Sequence, residues 1–315
     1  MEREARNPAN AGRGAMNFFW DLFLGGVTRG SIYALLALGY TMVYGILQLI
    51  NFAHGEIYMI GAFTALIVAS ILTMQGLTGL SVLILATIVA VLYASAYGFT
   101  IEKIAYKPLR QSSRLSPLIS AIGMSIFLQN YVMLAQTSDF LPFPNLLPQS
   151  NFLDIISSVI GPSDFIIIVT STVVMIALTV LLKFTKMGKA MRATAQDQTM
   201  AMLTGVNVNW VISRTFIIGS ALAAVGGILI ASHVGRINFY IGFNAGIKAF
   251  TAAVLGGIGS VPGAVLGGLV LGLAESFGTG YISSDYESVF AFALLILILI
   301  FKPDGILGRS SQQKV

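Results

Sequence analysis

The chain of 315 residues contains no cysteine, which excludes disulfide frameworks and thiolate metal sites. Charge is scarce as well. Asp, Glu, Lys and Arg make up 10% of the residues, where a soluble globular domain carries about 25%. A soluble domain of this length would lack the charges to cover its surface, so most soluble enzymes are excluded. Histidine occurs only at His54 and His233, too far apart in sequence to suggest a metal centre. No metal site is expected.

Nucleotide-binding and catalytic motifs are missing. Gly188-Lys189 is followed by Ala190 and lacks the upstream glycine of a phosphate-binding G-x-x-x-x-G-K-[ST] loop. Gly256-Gly257-Ile258-Gly259 is followed by Pro262, where a dinucleotide-binding loop needs glycine. Neither H-E-x-x-H nor G-x-S-x-G occurs. No catalytic residue is assigned, no enzyme is expected, and no cofactor is expected on this chain.

What is abundant is hydrophobic: 56% of the residues, together with 33 glycines. The 18 Lys and Arg against 13 Asp and Glu give a net charge of +5. These basic residues sit between long apolar runs, so the expected partner is a lipid bilayer and not nucleic acid. Stretches free of Asp, Glu, Lys and Arg run over Gly30–Gly55, Ile57–Ile101, Leu115–Ser138, Phe165–Leu182, Thr215–Gly235, Ala249–Ala274 and Ser288–Phe301. Gln75-Gly76-Leu77-Thr78-Gly79 divides the second, and Gly259-Ser260-Val261-Pro262-Gly263 breaks the sixth. Since a spanning helix needs about 20 apolar residues, these runs predict about eight spans. They are apolar on every face, which argues against a β-barrel. The expected fold is an all-α integral membrane protein, a polytopic bundle with broken or re-entrant segments. Residues 1–15 are polar and read as a disordered leader, with Met16 as a possible natural start and a signal peptide as the rival reading. Residues 310–315 form a polar tail.

Lys and Arg mark the cytoplasmic side. They gather in Glu102–Arg114 (Lys103, Lys107, Arg110, Arg114), in Lys183–Arg214 and in the tail (Lys302, Arg309, Lys314). The Thr137–Asp164 segment has Asp139, Asp154 and Asp164 but no basic residue, and Gly278–Glu287 also lacks one, so both face outward. Parity then makes the segments before and after Gly259–Gly263 either two full crossings or a re-entrant pair. The side of the N-terminus is left open.

Three features carry functional expectations. Asn51-Phe52-Ala53-His54-Gly55-Glu56 interrupts an apolar region. Ionisable groups at membrane depth need a partner, a wet cavity or a helix end. Asn51 suits an N-cap, with Glu56 in the first turn. Two readings stand: a helix starting at the interface, or a discontinuous helix lining a solute path. Asn51, His54, Glu56 and, at the later reversal, Gly259 and Ser260 are the path candidates. Next, the stretch 187–205 has good helix propensity and is too polar to span. Met187, Met191, Ala195, Gln198 and Met202 would share one face, and methionines suit docking into a partner's groove. Packing on its own bundle is the alternative. Third, Gly219, Ala223 and Gly227, like Gly263 and Gly267, repeat at a spacing that lets helices approach closely, either within the chain or against a second subunit. Glu275, Arg29, Arg236 and Lys248 are expected to snorkel to an interface. Arg236 and Lys248 have an alternative role, guiding a carboxylate-bearing solute.

Taken together, several segments resemble the LivH-type permease subunit of branched-chain amino acid ABC importers over about residues 16–309. They are Gly30-Ser31-Ile32-Tyr33-Ala34-Leu35-Leu36-Ala37-Leu38-Gly39-Tyr40, Ile50-Asn51-Phe52-Ala53-His54-Gly55-Glu56, Arg192 through Asn207, Gly256-Gly257-Ile258-Gly259-Ser260-Val261-Pro262-Gly263-Ala264 and Lys302-Pro303-Asp304-Gly305-Ile306-Leu307-Gly308. The resemblance implies a multi-pass protein of the bacterial inner membrane. It further implies pairing with a second related permease and with two cytoplasmic ATPases that bind ATP and Mg. An extracytoplasmic binding protein delivers leucine, isoleucine or valine, and transport proceeds by alternating access. It also makes 187–205 the coupling helix, with Met187, Met191, Arg192, Ala195, Asp197, Ala201, Met202 and Gly205 as candidate contacts. The sequence departs from the importer pattern E-A-A-x-x-x-G, keeping Ala201 and Gly205 but placing Thr199 and Met200 at the other positions. The alternatives are the same machine with urea, short amides or other amino acids, and an ion-coupled transporter using Glu56 and Glu275.

Overall fold

The computed structural model describes residues 8–110, 112–113, 115–144 and 161–308, with side chains from residue 16 onward. Within a bilayer the backbone must satisfy its own hydrogen bonds, so the apolar runs become helices. They are α1 (Pro8–Leu47), α2 (His54–Met74), α3 (Leu80–Ile101), α4 (Leu115–Ala135), α5 (Pro162–Phe184), α6 (Lys186–Gln196), α7 (Gln198–Leu203), α8 (Val208–Val234), α9 (Ile241–Gly256), α10 (Val261–Tyr281) and α11 (Glu287–Phe301). Among the described residues, eight helices are long and apolar enough to cross a membrane, as the charge-free runs predict. Helix α1 reaches back to Pro8, into the stretch read as a polar leader. Proline is compatible with a first helical position, where its missing N–H has no intrahelical partner to lose. Residues 1–7 and 309–315 lie outside the described residues, as do Arg114, Asp154, Arg309 and Lys314 of the orientation argument.

The inner layer is α1, α2, α8, α9 and α10, which carry most of the buried residues, including Leu35, Ile57, Met59, Ile212 and Phe216. The outer helices α3, α4, α5 and α11 expose large apolar side chains such as Ile88, Phe127, Ile176 and Ile300. Ala291 is the one buried residue of α11. Lipid tails are as apolar as leucine, so close backbone approach has to hold such a bundle together. Here glycines supply it. A methyl group on Gly268 would strike Ala34 of α1, and one on Gly272 would strike Gly30. On Gly263 and Gly267 it would meet the Gly256 and Ala252 carbonyls of α9, and on Gly227 the Tyr58 carbonyl of α2. Gly219, Ala223, Gly227, Gly263 and Gly267 are all buried within this chain. Internal packing therefore accounts for them, and the alternative of a second subunit on these residues is corrected.

Sidedness is visible in two connections. Strand β1 (Leu141–Pro142), after α4, pairs antiparallel with β2 (Arg236–Ile237), after α8, with Leu141 opposite Ile237. Both belong to the side read as outward. On the other side, Ile306 N–H donates to the Leu255 carbonyl at 2.8 Å, and Leu307 N–H to that of Gly256 at 3.0 Å. The reversal at Gly259–Ser260 thus lies beside the tail read as cytoplasmic. Helix α9 is 16 residues long, about 24 Å, shorter than a hydrocarbon core of about 30 Å. It is a partial crossing that begins at depth, where Gly242 packs on Gly55 and Glu56. Helix α1 runs antiparallel to α10, with Ser276 Oγ donating to the Leu22 carbonyl at 2.5 Å. That places the N-terminal end of α1 beside the C-terminal end of α10, the end read as outward.

Candidate translocation and coupling sites

The interrupted segment lies inside the bundle. Asn51, His54 and Glu56 are each no more than 2% exposed, so a helix start at the membrane interface is not what the fold contains. Helix α1 ends with Gln48 at φ 54°, a left-handed conformation usually taken by glycine. The expected N-cap at Asn51 is corrected: Ala53 occupies that position, without a side-chain cap. Asn51 is engaged elsewhere, its Oδ1 accepting from Tyr106 O–H at 2.9 Å.

His54 stacks edge-on with Tyr40, ring centroids 4.8 Å apart, in a slot that exists because residue 39 is glycine; a Cβ there would overlap the imidazole. Glu56 Oε1 accepts from Ser125 Oγ of α4 at 3.0 Å. Its Oε2 packs on Gly242 in the first turn of α9. The carboxylate therefore sits at two helix N-termini, its own and that of α9, where the macrodipoles favour negative charge. Asn51 Nδ2, His54 Nε2 and Glu56 Oε2 have no protein partner.

Gly259 and Ser260 lie elsewhere. They line a cavity of about 1020 Å³ between α1, α5, α6 and the α9–α10 turn, together with Thr41, Met191, Arg192 and Ala195. Ser260 also caps α10, its Oγ accepting from Gly263 N–H at 3.2 Å. The structure thus joins two path candidates to three coupling candidates and leaves Asn51, His54 and Glu56 outside this cavity.

The single helix expected over 187–205 is corrected to two. Asp197 takes an extended conformation, and its Oδ1 accepts from the N–H groups of Thr199 and Met200 at 2.7 and 2.9 Å. An Asp with two following N–H groups in reach makes a better N-cap than a helix interior residue. The break divides the expected methionine face. Met191 is 3% exposed and Met187 half-buried, so both pack on their own bundle and not outward as docking contacts. Met200, Met202 and Leu203 on α7 are exposed, while Ala201 is buried. Gly205, at φ 86°, turns the chain into α8. Arg192 donates to the Leu182 carbonyl.

Sequence reasoning missed two polar clusters. At the inner end of α3, a π-helical turn spans Glu102–Tyr106. Glu102 is fully buried and pairs with Arg110. It also accepts from Ser213 Oγ of α8 at 2.7 Å, and Arg110 donates to Asn209 Oδ1 at 2.7 Å. Burial pushes the Arg110 guanidinium below its ordinary value, and the Glu102 charge opposes that. Toward the outward side, Lys248 pairs with Glu275 and Glu287. The snorkelling expected of Lys248 and Glu275 is corrected, because both turn inward to each other. Arg236 stays exposed, over the Phe140 ring at 5.2 Å.

A family model described as the branched-chain amino acid transport system / permease component matches residues 22–299. The chain belongs to that family. It is similar to the high-affinity branched-chain amino acid transport system permease protein LivH of Escherichia coli K12, at 50% identity over 95% of this chain and 98% of the relative. It is also similar to BraD of Pseudomonas aeruginosa, which carries the same description, at 54% identity over 92% and 96%. LivM of E. coli K12 matches at 24% identity over 91% of this chain and 70% of LivM. The permease is therefore a multi-pass membrane protein of this family, and its two clusters and cavity are features of a transport subunit.

Proposed function

We propose that this permease is one of two related membrane subunits of an ATP-driven importer carrying leucine, isoleucine and valine across the bacterial inner membrane. The observation that carries the reading is its 54% identity, over nearly the whole chain, to a relative described as a high-affinity branched-chain amino acid permease. The match to both LivH and LivM supports a paired second permease. Energy comes from two cytoplasmic ATPases that hold ATP and Mg, consistent with the missing phosphate-binding loop. An extracytoplasmic binding protein delivers the solute, and the permease itself performs no covalent chemistry. The exposed Met200, Met202 and Leu203 of α7 meet the ATPase. The cavity at Gly259 and Ser260 is the inner vestibule, walled partly by α6, so that a push on α6 and α7 reshapes it during alternating access.

The test is reconstitution of the permease in vesicles with the second permease, both ATPases and the binding protein. Labelled leucine is expected to accumulate only with ATP, with valine and isoleucine competing and urea not. Uptake without the ATPases, or preference for urea or short amides, overturns the reading.

A further inference from the structure

Helix α2 begins inside the bundle without a side-chain cap, so its position has to be set by something else. Two contacts hold the connector that leads into it. Just before it, in the last turn of α1, Gln198 Nε2 of α7 donates to the Ile46 carbonyl at 2.9 Å. In its middle, Tyr106 O–H donates to Asn51 Oδ1 at 2.9 Å. Tyr106 is 1% exposed, and its ring packs on Phe216 of α8, centroids 5.3 Å apart.

The same π-helical turn is bolted to the start of α8 by Glu102–Ser213, and Arg110, the partner of Glu102 beyond the turn, donates to Asn209 of α8. Helix α8 in turn is joined to α7 by one tight turn, with Val206 N–H returning to the Ala201 carbonyl at 2.9 Å. A π-helical turn adds a residue to the helical register and often marks a functional position. Here it brings Glu102, Ala105 and Tyr106 to the buried side together.

We propose that the turn Glu102–Tyr106 is a positioning element: through the Tyr106–Asn51 hydrogen bond it transmits displacement of α7 and α8 to the buried start of α2. Glu56 and His54 ride on that start, so their placement follows the state of the cytoplasmic helices. The support is a connected path from α8 through the buried Ser213–Glu102 and Tyr106–Asn51 hydrogen bonds, which reaches the connector ahead of the direct packing of α8 on α2 at Tyr58. The inference rests on the proposed ATP-driven function for its driving force, and its test uses a readout separate from uptake.

The experiment is hydrogen exchange on the permease assembled with the second permease and its ATPases, with and without ATP and vanadate, for the natural chain and for Tyr106→Phe. The phenylalanine keeps the ring against Phe216 and removes only the donor. In the natural chain, nucleotide is expected to change protection both in 198–213 and in 51–60. In Tyr106→Phe the change in 198–213 persists while that in 51–60 falls about five-fold, the factor of one neutral hydrogen bond. An equal response at 51–60 in both proteins, or none in the natural chain, overturns the proposal. Should Tyr106→Phe assemble poorly, Asn51→Leu reads the same link from its other side. Leucine uptake measured in parallel judges the transport reading separately, since a permease for another solute would show the same exchange pattern.

Discussion

Lys248 Nζ and Glu275 Oε1 lie 3.2 Å apart inside the bundle, and Tyr33 O–H donates to the second Glu275 oxygen at 2.8 Å. Glu287, at the start of α11, completes the cluster from a fourth helix. The pair ties α9 to α10, and Glu287 fastens the sparsely packed α11 to α9 through Lys248.

Removing Lys248 leaves Glu275 buried without its cation. Lys248→Met is expected to destabilise the permease by about 3–5 kcal/mol, the range for breaking a buried pair from one side. The double variant Lys248→Met, Glu275→Leu should recover most of that loss. Thermal unfolding in detergent reads both, and an unchanged midpoint in the single variant would show that the pair contributes nothing.

Two glycines of similar appearance in sequence should behave oppositely. Gly227→Ala puts a methyl group into the Tyr58 carbonyl and should separate α2 from α8, whereas a methyl on exposed Gly123 meets nothing within 4 Å. Gly123→Ala is therefore expected to stabilise α4 by up to about 1 kcal/mol through helix propensity. Unfolding midpoints that move in the same direction would contradict this packing.

Sidedness is checked by cysteine substitution in a chain that has none of its own. A membrane-impermeant maleimide should label Ser260→Cys from the inner face only and Ser284→Cys from the outer face only. Labelling of Ser260→Cys from outside would reverse the placement of the α9–α10 turn.

Asp197→Ala removes the cap of α7, a loss of about 1 kcal/mol locally. Partner ATPases should then copurify less well, while the chain still inserts and unfolds near its natural midpoint. Asp197→Asn, which retains the acceptor, should restore copurification. Equal recovery of ATPases with alanine and asparagine would remove α7 from the docking surface.

The spans were legible because hydrocarbon imposes one rule on every residue it touches: charge-free runs such as Leu115–Ser138 could fold only as helices. The outward reading of Thr137–Asp164 came from its missing Lys and Arg, and the β1–β2 pairing sets that segment at the same end of the bundle as the chain after α8. Pairing between helices was not legible. Lys248 finds Glu275 and Glu287, and Tyr33 finds Glu275, across long sequence separations that no local pattern encodes. The break at Asp197 was hidden by a stretch of high helix propensity, where one good cap overrode the continuous periodicity. Asn51 had the chemistry of a cap but was drawn away by Tyr106, a residue of a basic segment 55 positions on that gave no hint of a partner.

The strap formed by Ile306 and Leu307 gives the C-terminus a share in the fold. The Leu255 and Gly256 carbonyls at the end of α9 stay open acceptors until those two residues have been synthesised, after α10 and α11 have already emerged. A chain stopped just short of Ile306 would hold α1 through α11 yet lack this stitch, so closure of the α9 end waits on two residues made after those helices.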